Sequence, residues 1–272
     1  MTRIKEYDVL KVIAIILVVL GHSTYYNIFS DYGGIAYQQY INNHLSLTVY
    51  KIFSKLVEVI YYFHMPLFMA ISGVFFSIQV KNNRWYDIES LLTNKFRRLM
   101  IPFFVFTLLY TVPIKYLSNY FDGVSLWSAV VGQLFLLGNS HLWYLYALFS
   151  IFIAGFYFLK KDTSIFVFLC LYILHVLSFS INLTLVSAPL QFLFWFSMGF
   201  LFETKRNQYN HYLKNNKWMS YVVALLFIAC IALNFVFKGD YKFLNRLILD
   251  LIAVMGSLIC YHISYYLSNK IE

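Results

Sequence analysis

The chain has 272 residues, of which 61% are hydrophobic and only 12% are charged, whereas soluble domains average about 25% charged residues. This composition excludes an ordinary soluble protein and predicts an integral membrane protein. The net charge of +9 does not indicate a nucleic-acid-binding protein, because lysine and arginine stand in short clusters between apolar segments and form no basic face.

Eight apolar segments have roughly the length that a helix needs to cross the hydrocarbon core, about 20 residues. In chain order they are residues 8–27, 57–79, 99–118, 142–159, 164–182, 188–203, 218–237 and 247–268. A further stretch, residues 126–138, is too short to span and predicts a re-entrant or interfacial helix. The predicted fold class is all-α: a polytopic transmembrane helical bundle of about eight spans, forming one integral membrane domain over residues 1–272.

Lysine and arginine residues predict the orientation of these spans. If the N-terminus is cytoplasmic, the segments on the inner side of the membrane carry most of the 21 basic residues, which is the distribution that the positive-inside rule describes. Both termini are then cytoplasmic. The chain is therefore predicted to be a multi-pass protein of the cell (plasma) membrane.

The three cysteines, Cys170, Cys230 and Cys260, lie within apolar segments and have no metal-like spacing. We expect them to be packed thiols, with neither a disulfide nor a metal site.

Two ionisable residues, Lys11 and His22, flank the apolar run of the first span. In a helix they are about 20° apart around the axis and about 16 Å apart along it, so both point to one face. Asp8 lies near the same stripe. The plain alternative is that Lys11 snorkels to the lipid headgroups and that His22 only caps the helix. On the functional interpretation, a fixed cation and a group that exchanges protons near neutral pH face one groove from two depths.

A basic cluster begins the third span in the segment "KFRRLMIPF". Lys95, Arg97 and Arg98 satisfy the positive-inside rule without any further role. The alternative is an anion clamp, because Lys95 and Arg98 at positions i and i+3 project from one helix face, where they are able to grip phosphates.

Two further groups of polar residues are candidates for binding a hydroxyl-bearing substrate. His64 precedes Pro66 within the second span, where the plain alternative is a kinked packing helix. Asn139, His141 and Trp143 lie in "GNSHLWYLYALF" at a predicted outer interface, where tryptophan is also an ordinary interfacial residue. His175 and Asp250 are predicted to be structural, with Arg246 one turn earlier as the partner of Asp250.

Four segments in this chain resemble the acyltransferase-3 family of membrane-integral acyltransferases. They are "RIKEYDVLKVIAIILVVLGHS", "FHMPLFMAISGVFF", "KFRRLMIPF" and "HLWYLYALF", in the order and at roughly the spacing found in that family. They cover about residues 3–150, while from residue 164 onward only a general pattern is similar. The chain looks closest to the branch that O-acylates the sugars of cell-surface polysaccharides.

The resemblance assigns roles to particular residues. The family's first helix usually carries an arginine ahead of an essential histidine, and here Lys11 and His22 occupy those places. The family's paired arginines before the third span are represented by Lys95 and Arg98, with Arg97 between them. Lys11 and Lys95 thus stand where the family has arginine, and each keeps the positive charge but lacks the planar guanidinium group. Family members have more spans than are counted here, so the chain is expected to be a short or truncated member.

The implied function is an O-acyltransferase that moves an acyl group, expected to be acetyl, from cytoplasmic acyl-CoA to a hydroxyl of a cell-surface or lipid-linked sugar in polysaccharide biosynthesis. Acyl-CoA is then a co-substrate, and no tightly bound cofactor is expected. The catalytic residue is His22, acting as the base or carrying the acyl group covalently. The expected donor-binding residues are Lys11, Lys95, Arg97 and Arg98, and the expected acceptor-binding residues are His64, Asn139, His141 and Trp143.

Two functions from other classes stay open. A transporter or flippase for lipid-linked sugars or polysaccharide would also need a polar cavity and buried charge, although no inverted repeat is evident. A nonenzymatic partner subunit of a polysaccharide synthase is the third possibility. Consumption of acyl-CoA that depends on the acceptor distinguishes an acyltransferase from both. The expected partners are the lipid bilayer, acyl-CoA and a sugar or polysaccharide acceptor, with no nucleic acid.

Overall fold

A computed structural model describes residues 4–24, 27–30, 33–36, 44–137, 142–160, 164–237 and 242–270. Helices dominate these residues, with one short hairpin between the first two helices. The helices are α1 (Lys5–Gly21), α2 (His44–Lys81), α3 (Ile88–Lys95), α4 (Ile101–Phe106), α5 (Val112–Leu117), α6 (Leu126–Leu134), α7 (Trp143–Phe158), α8 (Ile165–Ser178), α9 (Thr184–Asn215), α10 (Trp218–Phe237) and α11 (Lys242–Ser268).

Five helical segments are long and apolar enough to cross a membrane: Thr48–Lys81, Ile88–Leu117, Thr184–Asn215, Trp218–Phe237 and Phe243–Ser268. This confirms a helical membrane protein with several spans. The other three predicted spans overlap α1, α7 and α8, which have 17, 16 and 14 residues. The span predicted over residues 8–27 is too long at its end, because α1 ends at Gly21 and Asn27 begins a strand. The count of about eight spans and the cytoplasmic N-terminus stay predictions.

Several helices extend beyond the predicted spans, most of all α2 with 38 residues and α9 with 32. Hydropathy marks the part of a helix that suits the hydrocarbon core, whereas backbone hydrogen bonds continue into the polar ends. The short stretch near residue 126 forms the nine-residue α6, as expected of a segment too short to span. The antiparallel hairpin of β1 (Asn27–Ser30) and β2 (Gly33–Ala36) was not predicted.

The segment from α3 to α5 is one helical run that widens twice into π-helical turns. The first, Phe96–Met100, comes just before Pro102, and the second, Thr107–Thr111, comes just before Pro113. Proline has no backbone N–H to donate, so the hydrogen-bond ladder changes its spacing at these points. The first π turn contains Arg97 and Arg98. Single π turns inside α-helices frequently lie at functional sites.

The chain divides into two compact units. The first comprises Met1–Thr24, Ile41–Ser72 and Phe202–Glu272. In it, α1 and α10 both pack on α11. The buried side of α1 carries Tyr7, Leu10, Ala14 and Gly21, at the spacing of one helix face.

The second unit comprises Tyr25–Tyr40 and Gly73–Leu201 and has an aromatic core. Phe76 lies within 6 Å, ring centre to ring centre, of Phe152, Phe196 and Phe200. Gly73 permits this packing, because a Cβ on it would lie 1.9 Å from the backbone oxygen of Phe196. Gly73 thus allows α9 to approach α2 closely.

Candidate functional site

Two imidazoles and a phenol meet where α1 ends, within the first unit. His22 lies in the 3₁₀ turn that follows Gly21. Its Nδ1 is 3.2 Å from the Tyr61 hydroxyl oxygen. The ring centre of His64 lies 4.8 Å from that of Tyr61 and 6.5 Å from that of His22. Residues predicted separately from the first and second spans are therefore neighbours.

His64 is held in one tautomer. Its Nδ1 lies 3.0 Å from the carbonyl oxygen of Ile60. A carbonyl only accepts hydrogen bonds, so Nδ1 donates, and the neutral ring keeps a bare Nε2. The side chain is 1% exposed, which fixes the ring in position. His22, in contrast, is exposed.

Tyr61 was not singled out in the sequence, although a signal for it exists. It precedes His64 by three residues, and residues at i and i+3 share a helix face. Because tyrosine makes up 24 of the 272 residues, an isolated tyrosine beside a histidine carries little information in this chain.

Lys11 forms an ion pair within its own helix. Its Nζ is 2.8 Å from a carboxylate oxygen of Asp8, one turn earlier, and the Lys11 side chain is 45% exposed. The expectation that Asp8 shares the stripe of Lys11 is confirmed. A common cavity for Lys11 and His22 stays a prediction.

A polar cavity of about 510 Å³ lies beside the first π turn, in the second unit. Its volume is in the range of small-molecule sites. The lining residues carry guanidinium, hydroxyl, amide and carboxylate groups: Asp87, Glu89, Ser90, Thr93, Asn94, Arg97 and Arg98. Two of the four predicted donor-binding residues therefore face one cavity.

The start of α3 shapes this cavity. Asp87 is the N-cap residue, and its carboxylate accepts a hydrogen bond of 2.7 Å from the backbone N–H of Ser90. The hydrogen bonds from Ser90 lower the pKa of Asp87 below its usual range. Asp87 is thereby committed to capping the helix.

Lys95 is not among the residues that line the cavity. It is 9% exposed, and its Nζ lies 3.5 Å from the ring centre of Phe152 and 5.3 Å from that of Trp85. Trp85 is itself held in place, because its indole N–H donates to Gln79 and its backbone oxygen accepts from Lys160. The ammonium is therefore enclosed by aromatic faces in a cation–π arrangement.

The separation of Lys95 from the cavity has a local cause. Positions i and i+3 lie on one face only when the helix keeps 3.6 residues per turn. The π turn begins directly after Lys95, so Arg98 is rotated relative to its expected position. Lys95 packs into the protein, while Arg97 and Arg98 face the cavity.

Trp143 packs against aromatic and aliphatic side chains. Its ring centre lies 5.2 Å from that of Phe192, and it packs against a cluster of Met100, Phe103 and Leu136. Asn139 and His141, the other predicted acceptor residues in this region, lie outside the described residues. Their role stays a prediction.

His175 and Asp250 have the structural surroundings predicted for them. His175 is fully buried, and its Nδ1 donates to the carbonyl oxygen of Gln191 over 2.7 Å. Asp250 pairs with Arg246 at 3.8 Å.

All three cysteines are free. Within the part of the chain that the structure describes, no group of three or more His, Cys, Asp or Glu residues has the geometry to hold a metal ion.

A buried polar network at the start of α1 was not predicted. Arg206 on α9 contacts Glu6 at 2.7 Å and Glu203 at 3.1 Å. Tyr7 donates a short hydrogen bond to Glu203, and Ser264 on α11 donates to the backbone oxygen of Glu6. The network joins α1, α9 and α11, and the guanidinium offsets the burial of two carboxylates.

Comparison with known protein families matches residues 4–271 to the model of the acyltransferase-3 family, described as an acyltransferase domain. The match covers nearly the whole chain and thus extends beyond the four motifs noted above. No curated protein and no solved structure matches the chain.

Proposed function

Because the chain belongs to the acyltransferase-3 family, membrane enzymes that transfer acyl groups, we propose that it is an O-acetyltransferase of cell-surface or lipid-linked sugars in the plasma membrane. In this proposal the donor is cytoplasmic acetyl-CoA and the acceptor is a sugar hydroxyl. The observation that supports it most is the neighbourhood of His22, Tyr61 and His64 at the end of α1.

His22 acts as the general base in this proposal. An alcohol is a weak nucleophile at neutral pH, and a base on its proton contributes about 10²–10⁴-fold to the rate. As the sugar oxygen attacks the thioester carbonyl carbon, its proton passes to His22 Nε2 and the carbon–sulfur bond breaks. The proton then passes to the coenzyme A thiolate, so the products are an ester and a free thiol, and His22 is restored.

The cavity at Arg97 and Arg98 is the proposed donor site. Two adjacent guanidinium groups are suited to the phosphates of coenzyme A, because charge-assisted hydrogen bonds from arginine to phosphate are short and often bidentate. Ser90, Thr93 and Asn94 supply neutral donors and acceptors in the same cavity. Lys11 stays a proposed donor contact through its exposed ammonium, whereas the aromatic surroundings of Lys95 favour a supporting role.

The proposed acceptor site includes His64, whose bare Nε2 accepts a hydrogen bond from a hydroxyl. Trp143 is proposed to present an aromatic face to a sugar ring, with Asn139 and His141 as polar contacts. These assignments rest on the residue types and on the family.

Radiolabelled acetyl-CoA tests the proposal. Membranes that contain the chain are incubated with the donor, and label is counted in the carbohydrate fraction before and after mild alkali, which removes O-acetyl esters. The His22→Ala variant should incorporate no alkali-labile label. The matched control is His211→Ala, because His211 is an exposed histidine that contacts Asn215 on its own helix. Normal incorporation by His22→Ala would disprove the base assignment, and no incorporation by the unmodified chain would favour a transporter.

A further inference from the structure

The Tyr61 hydroxyl lies beside Nδ1 of the His22 ring. The Tyr61 oxygen lies 3.2 Å from His22 Nδ1, a distance at the outer limit for a hydrogen bond between nitrogen and oxygen. The two rings meet edge to face, with 6.0 Å between their centres and 79° between their planes. The phenol oxygen thus lies beside Nδ1, whereas Nε2 is the nitrogen that takes the proton in the proposed mechanism.

The base role of His22 requires one tautomer. To take a proton on Nε2, the neutral imidazole must carry its hydrogen on Nδ1. That N–H needs a hydrogen-bond acceptor, and the oxygen of a phenol can accept through its lone pairs. In many catalytic sites a carboxylate fixes the base histidine in this way. Asp8 does not meet that need, because it pairs with Lys11 three turns earlier on α1.

Tyr61 is itself held rigidly. Its ring packs at 4.8 Å, centre to centre, against the buried ring of His64. His64 in turn is locked by its bond to the Ile60 oxygen. A group that positions another side chain is effective when its own rotamer is fixed by packing and hydrogen bonds.

We propose that Tyr61 is the positioning residue of the catalytic histidine: its hydroxyl oxygen accepts the hydrogen bond from His22 Nδ1 and so keeps Nε2 unprotonated, as a base that takes the proton of the acceptor hydroxyl must be. The inference rests on the proposed acetyltransferase function. It assigns to a neutral phenol the orienting role that an acidic residue plays in many hydrolases.

Steady-state kinetics of Tyr61→Phe test this inference. The change removes only the hydroxyl, so the ring contact with His64 stays. We expect kcat to fall about tenfold, the effect of one neutral hydrogen bond at the upper end of its range. The KM for acetyl-CoA should stay within about twofold of the original value, because the proposed donor site is the cavity lined by Arg97 and Arg98, and Tyr61 does not line it. The acidic limb of the pH dependence of kcat should move to lower pH, because the lost oxygen stabilises protonated His22 more than the neutral ring.

Tyr62→Phe is the matched control. Tyr62 is the next residue on α2, and its hydroxyl donates to Glu58 over 2.8 Å and accepts from Asn234. The control loses a comparable hydrogen-bonding group away from the imidazoles, and its kcat and pH dependence should be those of the original chain.

Three outcomes overturn the inference. An unchanged kcat for Tyr61→Phe, or a rise in KM with an unchanged kcat, excludes a positioning role. A second variant, Tyr61→Met, should lower kcat at least as far as Tyr61→Phe does. If neither variant accumulates as folded protein, Tyr61 is required for folding and the positioning role is excluded. His22→Ala is assayed in parallel: if it is inactive while Tyr61→Phe is fully active, only this inference fails, whereas an active His22→Ala removes the proposed mechanism itself.

Discussion

Lys95→Met separates the two roles that the sequence and the structure suggest for this residue. In the structure, the Lys95 ammonium is 3.5 Å from the centre of the Phe152 ring and is nine-tenths buried. A desolvated cation–π contact is worth about 2 kcal/mol. Methionine has a similar length and recovers about 0.3–1.5 kcal/mol through contact of its sulfur with the aromatic ring. The substitution should therefore lower the free energy of unfolding by about 1 kcal/mol and leave the KM for acetyl-CoA nearly unchanged.

Arg98→Met is the companion variant, because Arg98 lines the cavity. Loss of a hydrogen bond to a charged phosphate costs about 1.5–3 kcal/mol, which corresponds to a rise in KM for acetyl-CoA of about 10- to 150-fold. The assay is acetyl transfer at a series of acetyl-CoA concentrations, with thermal stability measured on the same purified proteins. If Lys95→Met raised KM as far as Arg98→Met does, the proposed supporting role of Lys95 would be wrong, and phosphate binding by Lys95 would be favoured.

Three further predictions concern packing, the buried network and the acceptor site. Gly73→Ala should destabilise the protein by about 1–3 kcal/mol or more, because its Cβ would lie 1.9 Å from the Phe196 backbone oxygen; a melting temperature equal to that of the original chain would contradict the close approach. Arg206→Met leaves the Glu203 carboxylate buried without its cation, so a loss of about 3–5 kcal/mol is expected. Fluorescence-detected size-exclusion chromatography should then show little monodisperse protein, and an unaltered elution profile would refute this reasoning. His64→Gln should raise the KM for the sugar acceptor and not that for acetyl-CoA, and equal effects on both substrates would count against an acceptor role.

The helices were predictable because helix formation in a membrane depends on local sequence. Each predicted span overlaps a helix, since a run of apolar side chains suits the hydrocarbon core and the helix pairs its own backbone groups, although α1 ends at Gly21, short of the predicted residue 27. The helix ends were predicted less well. Polar residues continue α2 and α9 past the apolar part without changing their hydrogen-bonding pattern, and hydropathy does not detect such extensions.

The chemistry of the candidate site was also partly readable from the sequence. His22 and His64 were identified because an ionisable side chain in an apolar segment is costly and needs a reason. The family was identified from four motifs, and the family match over residues 4–271 confirms it. Residue types within single spans were sufficient for the two histidines, and the order of the four motifs along the chain was sufficient for the family.

The tertiary structure alone decided which side chains of different helices are partners. Tyr61 contacts an imidazole 39 positions earlier, and Arg206 bonds a carboxylate 200 positions earlier. A π turn directed Lys95 and Arg98 to different surroundings although their spacing predicted one face. Hydropathy and helical period act over a few neighbouring residues, whereas contacts between helices depend on how whole surfaces pack. For that reason the first could be read from the chain and the second could not.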